Sequence, residues 1–345
     1  MGLIAKSFLS AMCGLLFTLQ FTLPAAATDA VANFYKGRNL TVLIGFSVGG
    51  GVDTYGRLLG RHLVKHLPGN PSFVPQNMPG GGGLTALNYL YNVSPKDGSH
   101  IIIVLPSHAL EPAMGNASAR WDPLKLNWLG NASKDVPSCI ASDRSGIRSI
   151  QDAKAREITV GATGPSSGTF QHPAALANIL GYRLKIISGY QGTAQVRLAM
   201  ESGELDAMCE LYSSVAMGPH RQEIESGKYV PIVQMGVAKH PAFGNAPVVY
   251  DLASNDKQRK IIGFIFGASE ITRPFAAPPG VPAERVAALR KAFWAAVASP
   301  ELKAEADRMK LILDPMTGEQ TEGAFRSIIS TPQEIIEEAK IAIRK

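Results

Sequence analysis

Cysteine is almost absent, with three in 345 residues. Cys13 falls in an apolar leader, so only Cys139 and Cys209 are left for the body of the chain. Neither stands at a spacing from histidine or carboxylates that would hold a metal, and no cofactor is expected. Both lie in apolar, strand-like segments, where cysteine behaves as a small buried hydrophobe. They read as buried thiols, although export would permit a disulfide. After residue 23 no apolar run is long enough to span a bilayer. Basic residues are scattered, without long runs or interleaved aromatics, so nucleic acid is not an expected partner. Of the 34 basic residues, removal of Lys6 leaves 33 against 28 acidic ones, a net charge of +5. That bias suits an anionic ligand without naming one.

The start of the chain is a leader. Lys6 precedes an almost uncharged apolar run over 8–23, and Pro24-Ala25-Ala26-Ala27 follows as a small-residue cleavage site. Residues 1–27 are therefore expected to be a signal peptide, and the mature protein an exported, soluble chain of about 318 residues, enough for two domains.

The order of elements predicts parallel sheets covered by helices. Residues 41–46 read as a strand, 55–67 as a helix, 72–77 as a strand, 84–91 as a helix and 100–105 as a strand. Further strands are predicted at 138–141, 157–162, 184–188, 205–209 and 229–235, with helices beginning after 169 and at 193. Another apolar strand is expected from Ile261, then a proline-rich turn over 274–282. Helices at 283–298, 300–309, 318–329 and 332–343 complete the chain and are expected to pack on the first half. A strand, glycine-rich loop and helix recur in both halves, which implies two similar α/β lobes.

The first of these loops, Phe46-Ser47-Val48-Gly49-Gly50-Gly51-Val52-Asp53, offers bare backbone N–H groups at a helix start, with Asp53 expected as N-cap. It lacks the last glycine of a dinucleotide fingerprint, and no Lys-Ser or Lys-Thr follows to make a P-loop. The loop over 80–85 fails likewise, with Thr85 where a third glycine belongs. Gly164-Pro165-Ser166-Ser167-Gly168 matches G-x-S-x-G between a strand and a helix. It admits a serine esterase with Ser166 as nucleophile, Asp206 or Asp251 as acid and His220 or His240 as base. The same hydroxyl-rich loop, with Thr163 and Thr169, would equally grip a carboxylate at a helix N-terminus. Ser107, His108 and Glu210 follow predicted strands, at the carboxyl ends where ligand contacts are expected.

Six motifs in order resemble one family. They are the first loop with Arg57-Leu58-Leu59, Asn77-Met78-Pro79-Gly80-Gly81-Gly82, the segment 162–167, Gly189-Tyr190-Gln191-Gly192, Ser202-Gly203-Glu204-Leu205-Asp206-Ala207-Met208, and Ala277-Pro278-Pro279-Gly280-Val281-Pro282. Together they resemble the periplasmic receptors of tripartite tricarboxylate transporters, the Bug family. The resemblance implies a two-lobe type II periplasmic binding fold, with residues 28–136 and 264–345 in one lobe, 137–263 in the other, and two crossovers. It implies a monomeric, non-enzymatic receptor that captures a small organic carboxylate and delivers it to membrane permease subunits. Carried over, the ligand-binding residues are Phe46, Ser47, Gly49, Gly50, Gly51, Asp53, Ser107, His108, Thr163, Gly164, Ser166, Ser167, Thr169, Tyr190, Gly192 and Glu210, with the first loop facing 163–169 across the cleft. Val52 replaces a threonine common in the family, and Glu210 stands where a neutral side chain or aspartate is usual. If Glu210 faces the cleft, it would favour an amino acid or monocarboxylate over citrate. A two-lobe sensor that signals to a partner is the other binding alternative.

Overall fold

The computed structural model describes residues 24–236, 238–267 and 271–344, so the expected leader up to residue 23 lies outside the described residues. The first half runs α1 (Pro24–Tyr35), β1 (Asn39–Ile44), α2 (Gly51–His66), β2 (Ser72–Asn77), α3 (Leu84–Asn92), β3 (His100–Ile103), α4 (Ser107–Ala113) and β4 (Asn127–Asn131). β1 shows why a sheet forms here. Leu40, Val42 and Ile44 bury one face against α2, while Leu43 buries the other against α3. A strand covered on both sides reads as a continuous apolar run, as parallel strands do.

The second half contains β5 (Pro137–Ser142), α5 (Asp152–Ala155), β6 (Ile158–Ala162), α6 (Gly168–Leu180), β7 (Leu184–Ser188), α7 (Thr193–Ser202), β8 (Ala207–Tyr212), α8 (Ser213–Met217), α9 (Arg221–Glu225), β9 (Tyr229–Gln234) and α10 (Asp256–Phe266). The chain then returns through β10 (Pro274–Ala277), α11 (Ala283–Ala298), α12 (Pro300–Arg308), β11 (Met316–Thr317), α13 (Gly318–Ile329) and α14 (Gln333–Ile343).

Two mixed sheets result, ordered β11-β4-β10-β3-β1-β2 and β7-β6-β8-β5-β9. Each anchors one lobe of an α/β fold. The two crossovers bond to each other. Thr272 Oγ1 donates to Ser133 O at 2.7 Å, Ala132 N to Arg273 O at 3.0 Å, and Arg273 N to Asn131 Oδ1 at 2.8 Å. This paired strap joins the lobes. No helix among the described residues is long and apolar enough to cross a membrane.

The structure corrects several expectations. Residues 256–266 form a helix, not a strand from Ile261: Asn255 accepts from Gln258 N as N-cap, and Ile261, Phe264 and Ile265 recur at helical spacing. Pro274–Ala277 is a strand between β3 and β4 rather than part of a turn. Proline is tolerated there as the first residue of the strand. The C-terminal helices do not all pack on the first lobe. α14 places Ile336, Ala339 and Ile343 in the core around α6 of the second, and Asn178 Nδ2 donates to Ala342 O at 2.8 Å. Cys139 and Cys209, read as thiols, are bonded to each other. They lie on the neighbouring strands β5 and β8 and on the same sheet face.

Candidate ligand-binding site

Between the lobes lies a cavity of about 480 Å³. Its most unusual wall residue is Arg273, which was absent from the sequence-derived site. Arg273 is 1% exposed, on the return crossover just ahead of β10. Nη1 donates to Thr272 O at 2.7 Å. Nε and Nη2 are buried and have no hydrogen-bond acceptor. The guanidinium carbon lies 4.2 Å from the ring centre of Tyr212 and 4.9 Å from that of Tyr55, a cation–π sandwich that fixes its plane. Burial opposes the charge, but Tyr212, Asp135 and Tyr55 outweigh it and hold the pKa above its ordinary value. A charged group left unpaired in the interior is costly, so this edge is built for a partner. Nη2 is turned toward the first loop, where a Cβ on Gly51 would stand 3.3 Å away.

Of the predicted site residues, Phe46, Gly49, Gly50, Gly51, Thr163, Ser167, Thr169 and Glu210 border the cavity. The helix-start cradle at α6 is already occupied. Thr163 N donates to Thr169 Oγ1 at 2.9 Å, and Thr163 Oγ1 to Ser167 Oγ at 2.8 Å. The carboxylate of Glu210 sits against Gly168, where a Cβ would meet Oε1 at 2.5 Å. Oε1 is 2.8 Å from His172 Nδ1, and Tyr212 OH donates to Oε2 at 2.6 Å. Burial alone would raise the Glu210 pKa, but His172, Tyr212 and Arg273 hold it below the ordinary value, so it stays anionic. Glu210 also has φ 71°, a left-handed conformation uncommon outside glycine.

The remaining predicted residues shape the loops or the lobe contact rather than the cavity wall. Asp53 is not the N-cap. That position is Gly50, with no side-chain cap, and Asp53 lies inside the first turn. Its Oδ2 accepts from Gly49 N at 3.0 Å, and its Oδ1 from Arg57 Nε and Asn77 Nδ2, both at 2.9 Å. It is a clasp that holds the glycine loop in shape. His108 lies on α4, not in a loop. Its Nε2–H donates to Gly82 O at 2.9 Å and its Nδ1 accepts from Leu105 N at 3.3 Å. Both partners have fixed roles, so the ring carries its proton on Nε2. Tyr190 OH donates to Glu204 Oε1 at 2.5 Å, and the ring lines a smaller cavity of about 140 Å³ beside the second glycine loop.

The other five lie where the lobes touch. Ser47 N donates to Gln191 O at 2.9 Å, and a Cβ on Gly192 would stand 2.4 Å from Ser47 Oγ. Ser107 Oγ donates to Ser166 O at 3.3 Å. A Cβ on Gly164 would stand 2.6 Å from Gly82 N. The direct neighbours of the loop over 163–169 are thus the second glycine loop and the start of α4, while the first loop abuts 191–194.

The histidines proposed as bases for the elbow at Ser166 make their hydrogen bonds elsewhere. Asn116 Nδ2 donates to Ser166 Oγ at 3.4 Å, and the buried Glu111 is its other side-chain partner. The proposed bases are engaged elsewhere: His220 Nε2 is 2.7 Å from Arg197 Nη1, and His240 Nδ1 accepts from Ala242 N at 3.2 Å. A nucleophile needs its base in hydrogen-bond reach.

Sequence reasoning also passed over Tyr212, Arg197 and Thr193, and named His220 only as a candidate base; all four are on the cavity wall. One signal for Arg273 was present: an arginine between Ile271 and Phe275, in a stretch with no other charge.

No family model matches the chain. A Cupriavidus necator protein described as a UPF0065 protein in the gbd 5′ region is 24% identical over 293 residues, spanning 83% of each chain. Among solved structures, the periplasmic binding protein BugD superposes with a TM-score of 0.72 at 19% identity, covering 89% of this chain and 99% of its own. MatC from Rhodopseudomonas palustris, with bound malate, gives 0.68 at 18% identity over 89% and 99%. An R. palustris protein with adipate gives 0.68 at 18% identity over 88% and 97%. The resemblance read from the motifs is thus matched by structure: the chain has the two-lobe type II fold of the Bug and TctC periplasmic binding proteins.

Proposed function

We propose that this chain is a periplasmic receptor of the Bug type, which captures a small organic carboxylate between its lobes and delivers it to a tripartite tricarboxylate permease, without chemistry on the ligand. The observation that carries the reading is the free, buried Nε/Nη2 edge of Arg273 in the interlobe cavity. Two parallel N–H donors match the two oxygens of one carboxylate, the stronger class of hydrogen bond. The malate and adipate bound by two neighbours of the same fold support that class. The paired crossovers support a hinge that closes on the ligand. The cavity is complete within one chain, which supports a monomer. The Cys139–Cys209 bond suits an oxidising compartment such as the periplasm.

The test is titration of the purified protein with mono-, di- and tricarboxylates and amino acids, read by calorimetry and melting temperature. Ligands that bind only the folded state raise the melting temperature. At least one acid should bind, and Arg273→Gln should weaken it at least about thirtyfold, the ~2 kcal/mol lower bound for losing one partner of a buried charge pair. Neutral amides binding as well as their acids, or an Arg273→Gln variant with unchanged affinity, would overturn the reading.

A further inference from the structure

Resting on that carboxylate reading, we infer that the ligand is a monocarboxylic acid with a sizeable apolar body, aromatic or medium-chain aliphatic, rather than a small hydroxy di- or tricarboxylate. The charge inventory of the cavity leads there. Among the described residues, four ionisable side chains other than tyrosine line it: Arg197, Glu210, His220 and Arg273. Arg197 is engaged in part, with Nη1 2.7 Å from His220 Nε2 and Nε 3.9 Å from Glu201 Oε1. His220 accepts that contact and faces Glu223 at 3.7 Å with its other nitrogen. Burial and Arg197 hold its pKa below the ordinary value, so it offers no second cation. Glu210 is an anion tied to His172 and Tyr212, and it repels further negative charge nearby. Of the described lining residues, Arg273 is the one whose buried donors lack an acceptor, whereas Arg197 is part-exposed and lies beside Glu201. The site therefore offers one desolvated clamp for a carboxylate, and the other cation on its wall is part-exposed and already faces a carboxylate.

Most of the remaining wall surface is apolar, and it comes from both lobes. Phe46, Leu105 and Leu311 face in from the first, Met208, Leu211 and Val215 from the second. The volume of about 480 Å³ is on the order of sixteen waters at roughly 30 Å³ each. A four-carbon diacid fills a fraction of that space and leaves the apolar wall facing water. An acid with a ring or a longer chain removes that surface from solvent, and each added methylene is worth about fourfold in affinity.

Matched pairs settle it on the unmodified protein. Butanoate, hexanoate and octanoate are titrated by calorimetry beside adipate, malate, citrate and 3-phenylpropanoate, with hexanamide as the uncharged control. Affinity should rise about fourfold per methylene along the monoacids. Hexanoate should exceed adipate, which puts a second carboxylate where hexanoate has a methyl, by at least about tenfold. A flat chain-length series, or malate, citrate or adipate binding more tightly than hexanoate, overturns the inference while leaving a carboxylate receptor in place. Hexanamide binding as tightly as hexanoate overturns both, because the charge on Arg273 would then play no part.

Discussion

His108 shows how one side chain can brace the loops beside a cavity without lining it. Its ring bridges the segment after β3 and the second glycine loop through Leu105 N and Gly82 O, and the contact that accepts from Leu105 N requires the neutral ring. Burial pushes its pKa down from 6.5 to about 4. The unfolded chain therefore takes up a proton below pH 6.5 that the folded protein refuses. This stability is present in full above pH 6.5 and is lost as the pH falls toward 4. The loss should reach roughly 2–3 kcal/mol between pH 7.5 and 4.5, at 1.36 kcal/mol per pKa unit. His108→Gln can keep both hydrogen bonds and cannot titrate, so its urea midpoint should fall less over that range. An identical decline in the variant would show that another group sets the acid sensitivity. Arg273 is the opposite case, a residue whose polar edge is left open inside the fold.

At the scale of elements, β5 and β8 are held twice, by antiparallel pairing and by the Cys139–Cys209 bond. The bond closes a loop across a sequence separation of 70, and the chain-entropy account makes that worth about 4 kcal/mol. Cys139→Ala with Cys209→Ala should lower the urea midpoint accordingly, and reductant should lower the parent's midpoint but not the variant's. Equal stability of parent and variant would mean the cross-link adds nothing to the native state. The pairing was not legible in advance, because both cysteines sit in apolar runs and only the order of strands in the sheet makes them neighbours. The same divide runs through the chain. β2, β7 and the helices from α11 to α13 were readable because local period, proline and glycine mark them. β10 and the placement of α14 were not, because each depends on a partner distant in sequence. In the site, the glycine loops announced themselves by composition. Arg273 became recognisable only once the crossovers had brought it between Tyr55 and Tyr212.

The molecule as a whole is two lobes whose glycine loops meet. At one close approach the backbone of Gly164 in the second lobe lies against Gly82 of the first, and a Cβ added at Gly164 would stand 2.6 Å from Gly82 N and 3.1 Å from Gly81 C. Those neighbours are main-chain atoms, so they cannot swing aside as a side chain could. Gly164 itself does not have positive φ, so alanine suits its own backbone and the conflict lies only between the lobes. Other contacts across the same seam, Ser47 to Gln191 and Ser107 to Ser166, form only when the lobes are this close. On the proposed receptor reading the lobes close as a clamp, and glycine here would set how far it can shut, a role apart from offering N–H groups to an anion. Gly164→Ala should therefore leave the ligand-free protein folded with a nearly unchanged melting temperature, while holding the lobes apart. Overpacking of this kind costs about 1–3 kcal/mol, which predicts a loss of roughly fivefold to a hundredfold in affinity for the tightest-binding acid. Small-angle scattering should show the parent as the more compact of the two at saturating ligand. If the variant binds as tightly as the parent and compacts to the same radius, the glycine seam is not what limits closure.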